Sequence, residues 1–382
     1  MKKNLIILLL ISCLSSCKKE RKPINIQNAL VDCLQKNGND YGIMLFGDSM
    51  LNFPSSHIMS FVSSLTNTYQ GLGNSYYPTK TNFINNRGGF LNLNNGATLI
   101  DVNKQNSILG QPEWAGRLGY MSGTGQNITF VTGGVFPIAN TTKIFVLTDT
   151  INTGTYDIQR SIDQGSTWTT VVSNDTTLDS VKGMKVHAFD DTSETIRIGY
   201  RVLWKSGQVM CLDPLFLKAG GNNIYHITVG SGGADFKLQT SIPKERIRFL
   251  INEANIKMVT SSHRYEVADV TEFRTYQNLM DEWWEGKNID VLYFGQPPQA
   301  NDTAVADKLK QDINNEMFVK SIEKNYLYYD MHKTMGGLQK VIDLGWGSSD
   351  PVHLSLESYA NIAPKLLYYL EFDNQKYNNK KK

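Results

Sequence analysis

The sequence predicts an α/β protein in which a doubly wound parallel sheet is interrupted by an inserted all-β sandwich. Two observations support this fold class. Near both ends of the chain, short apolar runs bounded by turn residues alternate with apolar stripes at helical spacing, as in a buried parallel sheet. In the middle, strand-like runs separated by Asn, Asp, Gly and Thr turns follow one another without a long amphipathic helix, which is typical of a sandwich.

The first βα unit begins with the apolar run at residues 42–46, which predicts a buried strand. This run leads directly into Gly47-Asp48-Ser49, and apolar residues then recur at helical spacing over residues 58–69. Ser49 is therefore predicted to lie where a strand ends and a helix begins. In open α/β sheets, ligands bind at that edge.

The middle region contains predicted strands at residues 143–147, 195–200 and 208–212. It also contains Ser161-Ile162-Asp163-Gln164-Gly165-Ser166-Thr167-Trp168, which resembles the Asp-box of sialidases. In that family the motif is a turn that joins two strands and carries no catalytic group. One copy does not indicate a propeller, so we expect a structural turn here.

Strand and helix alternate again after Asn222. The predicted strands span 224–229, 256–260, 289–294 and 326–329, and the predicted helices span 245–252, 273–283, 305–317 and 356–370. Asp302 is predicted to cap the third of these helices, and Trp283 and Trp284 are predicted to pack in the core. Together with the first strand, these segments predict a flavodoxin-like parallel sheet of about five strands.

The charge balance excludes one class of partner. The 382 residues include 38 Lys and Arg against 36 Asp and Glu, giving a formal net charge of +2. A protein that binds nucleic acid normally shows a strongly basic face or tail, so no nucleic-acid partner is expected. With 41% hydrophobic residues the chain can fill a core, and its length predicts two domains or one domain with an insertion.

The N-terminus predicts export from the cytoplasm. Two lysines precede an apolar run from Leu5 to Leu14, which is too short to span a bilayer as a helix. The run ends Leu14-Ser15-Ser16-Cys17, which resembles the lipobox of bacterial lipoproteins, where the cysteine becomes the lipidated first residue. The resemblance implies a membrane anchor at Cys17 and a place in the bacterial cell envelope. An ordinary cleaved signal or an uncleaved anchor remains the alternative.

Two cysteines remain outside the signal, Cys33 and Cys211. An oxidising compartment would permit a disulfide between them, and two separate buried thiols are equally compatible with the sequence. No cysteine or histidine spacing indicates a zinc site, so no metal or other cofactor is expected.

These features predict six segments along the chain. In order they are a lipoprotein signal peptide, a tether with the N-terminal segment, the first part of a hydrolase domain, an inserted β-sandwich with a possible carbohydrate-binding role, the second part of the hydrolase domain, and a polar basic tail. Their predicted bounds are 1–16, 17–39, 40–89, 90–221, 222–372 and 373–382.

Two short motifs at opposite ends of the α/β part point to a hydrolase. Gly47-Asp48-Ser49 follows the first strand, and Asp350-Pro351-Val352-His353 opens the last helix; together they resemble the SGNH (GDSL-type) hydrolase family over residues 40–85 and 222–372. The resemblance implies that Ser49 is the nucleophile, His353 the base and Asp350 the acid that orients it. The chemistry agrees, because a serine hydroxyl needs a neighbouring base and an imidazole titrates near working pH.

The tetrahedral intermediate of such a reaction needs hydrogen-bond donors for its oxyanion. We predict the backbone N–H of Ser49 and a glycine after the second strand, Gly233, with Gly232 as the nearest alternative. The family has Gly-x-Asn after the third strand, whereas this sequence has Ser261-Ser262-His263-Arg264 there. Ser262, His263 or Arg264 must then supply the third donor. Ser262 is the assignment made here, and Asp48 and His263 are predicted to contact substrate.

The remaining histidines are assigned lesser roles. His57 is predicted to lie near the rim of the cleft, and His187, His226 and His332 are predicted to be structural.

An SGNH core divided by a β-sandwich resembles the architecture of peptidoglycan O-acetylesterases, in which a Gly-rich segment follows the first helix, as residues 70–78 do here. The resemblance implies deacetylation of an acylated glycan, either peptidoglycan or another polysaccharide. Two alternatives remain: a glycan O-acetyltransferase using the same triad, and a non-catalytic glycan-binding lipoprotein. The sequence does not indicate the oligomeric state.

Overall fold

The structure is a computed structural model of the whole chain. It describes residues 40–47, 91–102, 116–130, 140–151, 153–191, 197–217, 224–230, 235–263, 270–347, 355, 357–358, 361–362 and 365.

Sixteen strands are present in this described part. They are β1 (Tyr41–Gly47), β2 (Leu91–Asn94), β3 (Thr98–Val102), β4 (Gly116–Met121), β5 (Asn127–Phe130), β6 (Thr141–Leu147), β7 (Gly154–Ser161), β8 (Thr169–Thr176), β9 (Met184–Asp190), β10 (Gly199–Gly207), β11 (Val209–Cys211), β12 (Leu215–Leu217), β13 (Ile224–Val229), β14 (Ile256–Ser262), β15 (Asp290–Phe294) and β16 (Leu327–Tyr329).

Six helices are bounded within the same described residues. They are α1 (Phe236–Thr240), α2 (Lys244–Glu253), α3 (Val270–Trp283), α4 (Ala304–Lys324), α5 (Met331–Met335) and α6 (Gly337–Asp343). Residues 357–358, 361–362 and 365 are also helical, within the predicted last helix. None of the described helices combines the length and hydrophobicity that a membrane span needs.

Five strands form one parallel sheet in the order β13-β1-β14-β15-β16. Strand β1 is buried along its whole length, as expected for an apolar run covered on both faces. Strand β1 lies inside the sheet with β13 and β14 on either side, and the predicted parallel sheet of about five strands is confirmed. Trp283 and Trp284 are both buried, as predicted, and the Trp283 ring stacks on Phe46 of β1.

The antiparallel strands β2–β12 fall between β1 and β13 in the chain and form two separate sheets. One has the order β2-β5-β10-β7-β8; the other has the order β12-β6-β11-β4-β3, with β9 paired to β6. The two sheets bury a shared apolar cluster that includes Ile128 and Tyr156 from one and Ile144 and Val209 from the other. The predicted strand at 195–200 is instead β10, which begins at Gly199 and continues to Gly207.

The six-stranded antiparallel sheet also packs against the α/β part. Its residues Leu118 and Phe145 belong to the same buried cluster as Phe46 of the parallel sheet. The buried guanidinium of Arg246 in α2 donates to the backbone oxygens of Thr148 at 2.9 Å and Gly183 at 3.2 Å. At the other end of α2, the Lys143 ammonium donates to the backbone oxygen of Glu253 at 2.6 Å. Helix α2 is therefore attached to the antiparallel sheet at both ends.

The Asp-box forms the turn between β7 and β8. Both carboxylate oxygens of Asp163 accept hydrogen bonds from Thr167, from its N–H at 2.8 Å and its hydroxyl at 2.6 Å, and Ser161 donates to the same carboxylate. These bonds lower the pKa of Asp163 to about 2. The prediction of a structural turn is confirmed.

Cys211 is a free thiol buried between strands β4 and β6, so the disulfide alternative is wrong and the buried-thiol alternative is correct for this residue. Burial raises the pKa of the thiol well above its ordinary value. Cys33 lies outside the described residues.

Candidate active site

The predicted site residues divide into two groups. Ser262 and His263 are described, and both are buried. The predicted residues that lie outside the described part of the chain are Cys17, Asp48, Ser49, His57, Gly233, Asp350 and His353. The described part of the candidate site therefore consists of the strand ends that lead into these residues.

The carboxyl ends of the central strands lie at one level. In the strand register Gly47 of β1 is paired with Ser262 of β14, and Ser262 is paired with Phe294 of β15. On the other side of β1, Phe46 is paired with Val229 of β13. The chain segments that follow β1, β13, β14 and β15 therefore leave the sheet at the same edge, which is the edge where such sheets bind ligands.

The ends of β1 and β13 are held together by Gln239, a residue that the sequence did not single out. Gln239 is fully buried in α1, and its side-chain amide donates to the backbone oxygens of Gly47 at 3.2 Å and Val229 at 3.1 Å. Gly230 has a φ of +145°, and a Cβ there would overlap the Gly47 backbone oxygen. These contacts fix the last residues of the two strands whose continuations contain Ser49 and Gly233.

His263 directly follows β14 and is buried among aromatic rings. Its ring centroid lies 4.5 Å from that of Phe236 in α1 and 5.3 Å from that of Tyr276 in α3. Its Nδ1 lies 3.3 Å from the Ser261 hydroxyl oxygen, and Tyr276 donates to the same oxygen at 3.3 Å. The buried Nε2 has no hydrogen-bond partner within the described part of the chain. Burial lowers the pKa of His263 to about 3, so the imidazole is neutral at ordinary pH.

This low pKa predicts a pH-dependent stability. In an unfolded chain a histidine binds its proton below about pH 6.5, whereas folded His263 stays neutral down to about pH 3. The unfolded state therefore binds more protons, and the contribution of His263 is complete above about pH 6.5 and decreases as the pH falls toward 3. Between pH 7 and pH 5 we expect a loss of roughly 2 kcal/mol in the free energy of unfolding from this group.

Urea unfolding of the wild type and of His263→Leu at pH 7 and pH 5 measures this effect. The leucine variant lacks the titrating group, so its free energy of unfolding should fall less over this range, by roughly 2 kcal/mol. His187, whose pKa is also lowered by burial, is present in both proteins and cancels in the comparison. Equal pH dependence in the two proteins would contradict the prediction.

The segment after β15 is fixed from α4. The Asn314 side-chain amide exchanges two hydrogen bonds with the backbone of Gln296, at 2.6 and 3.0 Å. The Gln296 side chain is fully buried, and neither of its amide atoms has a hydrogen-bond partner among the described residues. It lies at the same sheet edge as His263 and is a second buried polar group that the sequence analysis missed.

Asp302 has a different role from the predicted one. The cap of α4 is Thr303, whose hydroxyl oxygen accepts the Ala306 N–H at 3.1 Å. Asp302 instead accepts the Gln299 N–H and forms an ion pair with Lys310, whose Nζ lies 2.7 Å from both carboxylate oxygens. The two side chains are only 4% and 1% exposed. The assignment of Asp302 as the cap was wrong because this buried ion pair engages its carboxylate.

The lesser histidines occupy structural positions. His187 Nε2 lies 2.8 Å from the Tyr156 hydroxyl in the antiparallel part, and His332 Nε2 lies 2.8 Å from Asp307 between α5 and α4. His226 is buried within β13. Among the residues that the structure describes, no group of three or more His, Cys, Asp and Glu is arranged to hold a metal ion.

Comparison with known proteins adds evidence on the fold. No protein-family model matches the sequence, and no curated protein matches it. Among solved structures, a peptidoglycan O-acetylesterase superposes with a TM-score of 0.63 at 16% identity, covering 91% of this chain and 95% of that chain. This chain has the fold of that enzyme. The similarity extends over nearly the full length of both proteins and so includes the antiparallel strands as well as the parallel sheet.

Two further structures match only part of the chain. A lipolytic protein of the G-D-S-L family from Veillonella parvula has a TM-score of 0.29 at 17% identity, covering 38% of this chain and 79% of that chain. A protein from Bacteroides fragilis described as an acylhydrolase has a TM-score of 0.30 at 14% identity, covering 39% and 76%.

Proposed function

We propose that this chain is an extracytoplasmic serine esterase that removes O-acetyl groups from a glycan, either peptidoglycan or another polysaccharide. The observation that carries the proposal is the register of the parallel sheet. Strand β1 ends at Gly47 on the carboxyl edge, and Asp48 and Ser49 are the next two residues. A Gly-Asp-Ser segment at that point suits a nucleophile at the start of a helix. The fold shared with a peptidoglycan O-acetylesterase supports the choice of ester.

In the proposed reaction the Ser49 hydroxyl oxygen attacks the acetyl carbonyl carbon while His353 takes the hydroxyl proton. Asp350 accepts the other imidazole N–H and stabilises the imidazolium. The tetrahedral intermediate then collapses, His353 returns the proton to the leaving sugar oxygen, and the acetyl group remains on Ser49. A water molecule deprotonated by His353 next attacks this acyl-enzyme, which releases acetate and restores the serine.

The oxyanion of each intermediate needs preorganised donors. The proposal assigns this role to the backbone N–H groups of Ser49 and Gly233 and to the side chain of Ser262, with Asp48 and His263 contacting the substrate. The fixed geometry of Gly47 and Val229 supports the first two, because Gln239 holds the strand ends from which both segments start.

The proposal also covers location and partners. Cys17 would carry the lipid that tethers the protein to the bacterial cell envelope, and the region 90–221 would hold the acylated glycan as an inserted sandwich. No nucleic acid and no cofactor takes part.

The experiment uses the full chain purified in detergent, with O-acetylated peptidoglycan and acetylated xylan as substrates. Released acetate is measured against time, with chemically deacetylated glycan as the control. Acetate release from either glycan supports the esterase. Acetylation of an added sugar acceptor in place of acetate release would favour the transferase. Glycan binding without any ester cleavage would favour the binding protein and contradict the proposal.

A further inference from the structure

We propose that His263 is a catalytic residue whose neutral Nε2–H donates a hydrogen bond to the oxyanion of the tetrahedral intermediate. This inference rests on the proposed esterase and adds a donor that the assignment of Ser49, Gly233 and Ser262 leaves out. Three observations support this inference: the position of His263 at the sheet edge, the hydrogen bond at its Nδ1, and the absence of a described partner for its Nε2.

His263 lies at the sheet edge where β1 and β13 end, and the chain continues from these two strands to the proposed backbone donors. Its neighbour Ser262 is paired with Gly47, the last residue before Asp48 and Ser49. On the other side, the His263 ring contacts Phe236, which begins α1 just after the glycine-containing segment 230–233. His263 therefore follows β14 at the same sheet edge at which β1 and β13 end.

The hydrogen-bond chain behind the ring determines which nitrogen carries the proton. Tyr276 is fully buried, and burial raises the pKa of its phenol well above the ordinary value, so its hydroxyl keeps its proton. That hydroxyl donates to the Ser261 oxygen, which leaves the Ser261 proton directed to His263 Nδ1. With Nδ1 as acceptor, the proton of the neutral imidazole resides on Nε2.

Among the residues that the structure describes, the Nε2–H is then a buried donor without a partner. Such a group is costly to keep, and in native proteins it requires an explanation such as a catalytic role. A negatively charged oxygen would be a strong acceptor in this water-poor place, whereas the neutral carbonyl of the bound ester is a weaker one. The donor would therefore stabilise the transition state more than the ground state.

Ser262 is less suited to the role. Successive side chains of a strand point to opposite faces, so Ser262 lies on the face opposite to Ser261, away from Tyr276 and the aromatic cluster. Ser262 is therefore outside the hydrogen-bond chain that joins Tyr276, Ser261 and His263.

The test compares two substitutions of similar volume in the full chain, His263→Leu without a donor and His263→Gln with an amide nitrogen near the former Nε2. With p-nitrophenyl acetate, His263→Leu should lower kcat by about 10²–10³, the effect of losing one oxyanion donor. The KM should stay within about threefold, because the lost interaction belongs to the transition state. His263→Gln should remain within about tenfold of wild-type kcat.

Three further variants keep the test decisive. Ser261→Ala retains the ring but removes the proton given to Nδ1, so kcat should fall by about threefold to tenfold at unchanged KM. Ser261→Ala can still test the inference if the His263→Leu protein does not fold. His187→Asn, a matched histidine in the antiparallel part, should leave kcat unchanged, and Ser49→Ala reports on the nucleophile.

Each outcome bears on the inference in its own way. A wild type that Ser49→Ala inactivates but His263→Leu does not would overturn the role of His263 and leave the esterase standing. Equal losses in folded His263→Leu and His263→Gln would also overturn it. Equal activity in wild type and Ser49→Ala would overturn the esterase mechanism, and the oxyanion role with it.

Discussion

Replacing Ser49 with alanine is expected to lower kcat for p-nitrophenyl acetate by about 10⁶, close to the uncatalysed background. In the proposed mechanism Ser49 alone forms the acyl-enzyme, so without it the remaining donors can only assist attack by water. His353→Ala should cost about as much, because nucleophile and base act as a unit. Asp350→Asn should cost about 10⁴, since the carboxylate no longer holds the imidazole in the correct tautomer.

Steady-state kinetics of the purified variants measures these losses. Ser206→Ala is a suitable control, since that exposed residue lies in the antiparallel part and, among the described residues, its hydroxyl is paired with that of Thr155. It should match the wild type. If Ser49→Ala retains substantial activity while remaining folded, another residue is the nucleophile.

Replacing Lys310 with methionine is expected to lower the free energy of unfolding by about 3–5 kcal/mol. The change removes one member of a buried ion pair and leaves the Asp302 carboxylate charged among groups that exclude water. Asp302 also accepts the Gln299 N–H, so the segment after β15 should loosen as well. Urea unfolding followed by tryptophan fluorescence measures the loss.

Lys308→Met is the matched control. Lys308 lies on the same helix and is paired with Asp312, but its side chain is 67% exposed. Exposed pairs of this kind contribute only about 0.3–0.5 kcal/mol, so the control should remain close to the wild type. Similar losses of unfolding free energy in Lys310→Met and Lys308→Met would contradict the prediction that the buried ion pair contributes more than the exposed one.

The architecture could be predicted from the sequence because local patterns determine it. The apolar run of β1 and the alternation after Asn222 are readable within windows of ten to fifteen residues, and the structure confirms the parallel sheet that they predict. The Asp-box turn was predictable for the same reason, since Ser161, Asp163 and Thr167 satisfy one another within seven residues. The cap of α4 was misassigned because the partner of Asp302, Lys310, lies two turns further along the helix.

The environment of the candidate site could be predicted only in part. His263 was a candidate on sequence grounds, but its tautomer depends on Tyr276, which comes from another helix. Gln239 has no sequence signature, because a helical glutamine is normally solvated and only the packing of α1 against two strand ends buries it. Interactions between distant segments decide such roles, and no short pattern encodes them.

The attachment of α2 to the antiparallel sheet has a consequence for how a polymer would be handled. Near one end of this helix Arg246 donates to backbone oxygens of the antiparallel part, and at the other end Lys143 of that part donates to the backbone oxygen of Glu253. The two parts also share one buried apolar cluster. Under the proposed function, a sugar chain bound to the antiparallel sheets would therefore reach the carboxyl edge of the parallel sheet at a constant angle and distance. This fixed geometry would determine which esters along the polymer reach the site. The spacing of the cleaved esters along one glycan chain would then reflect that geometry.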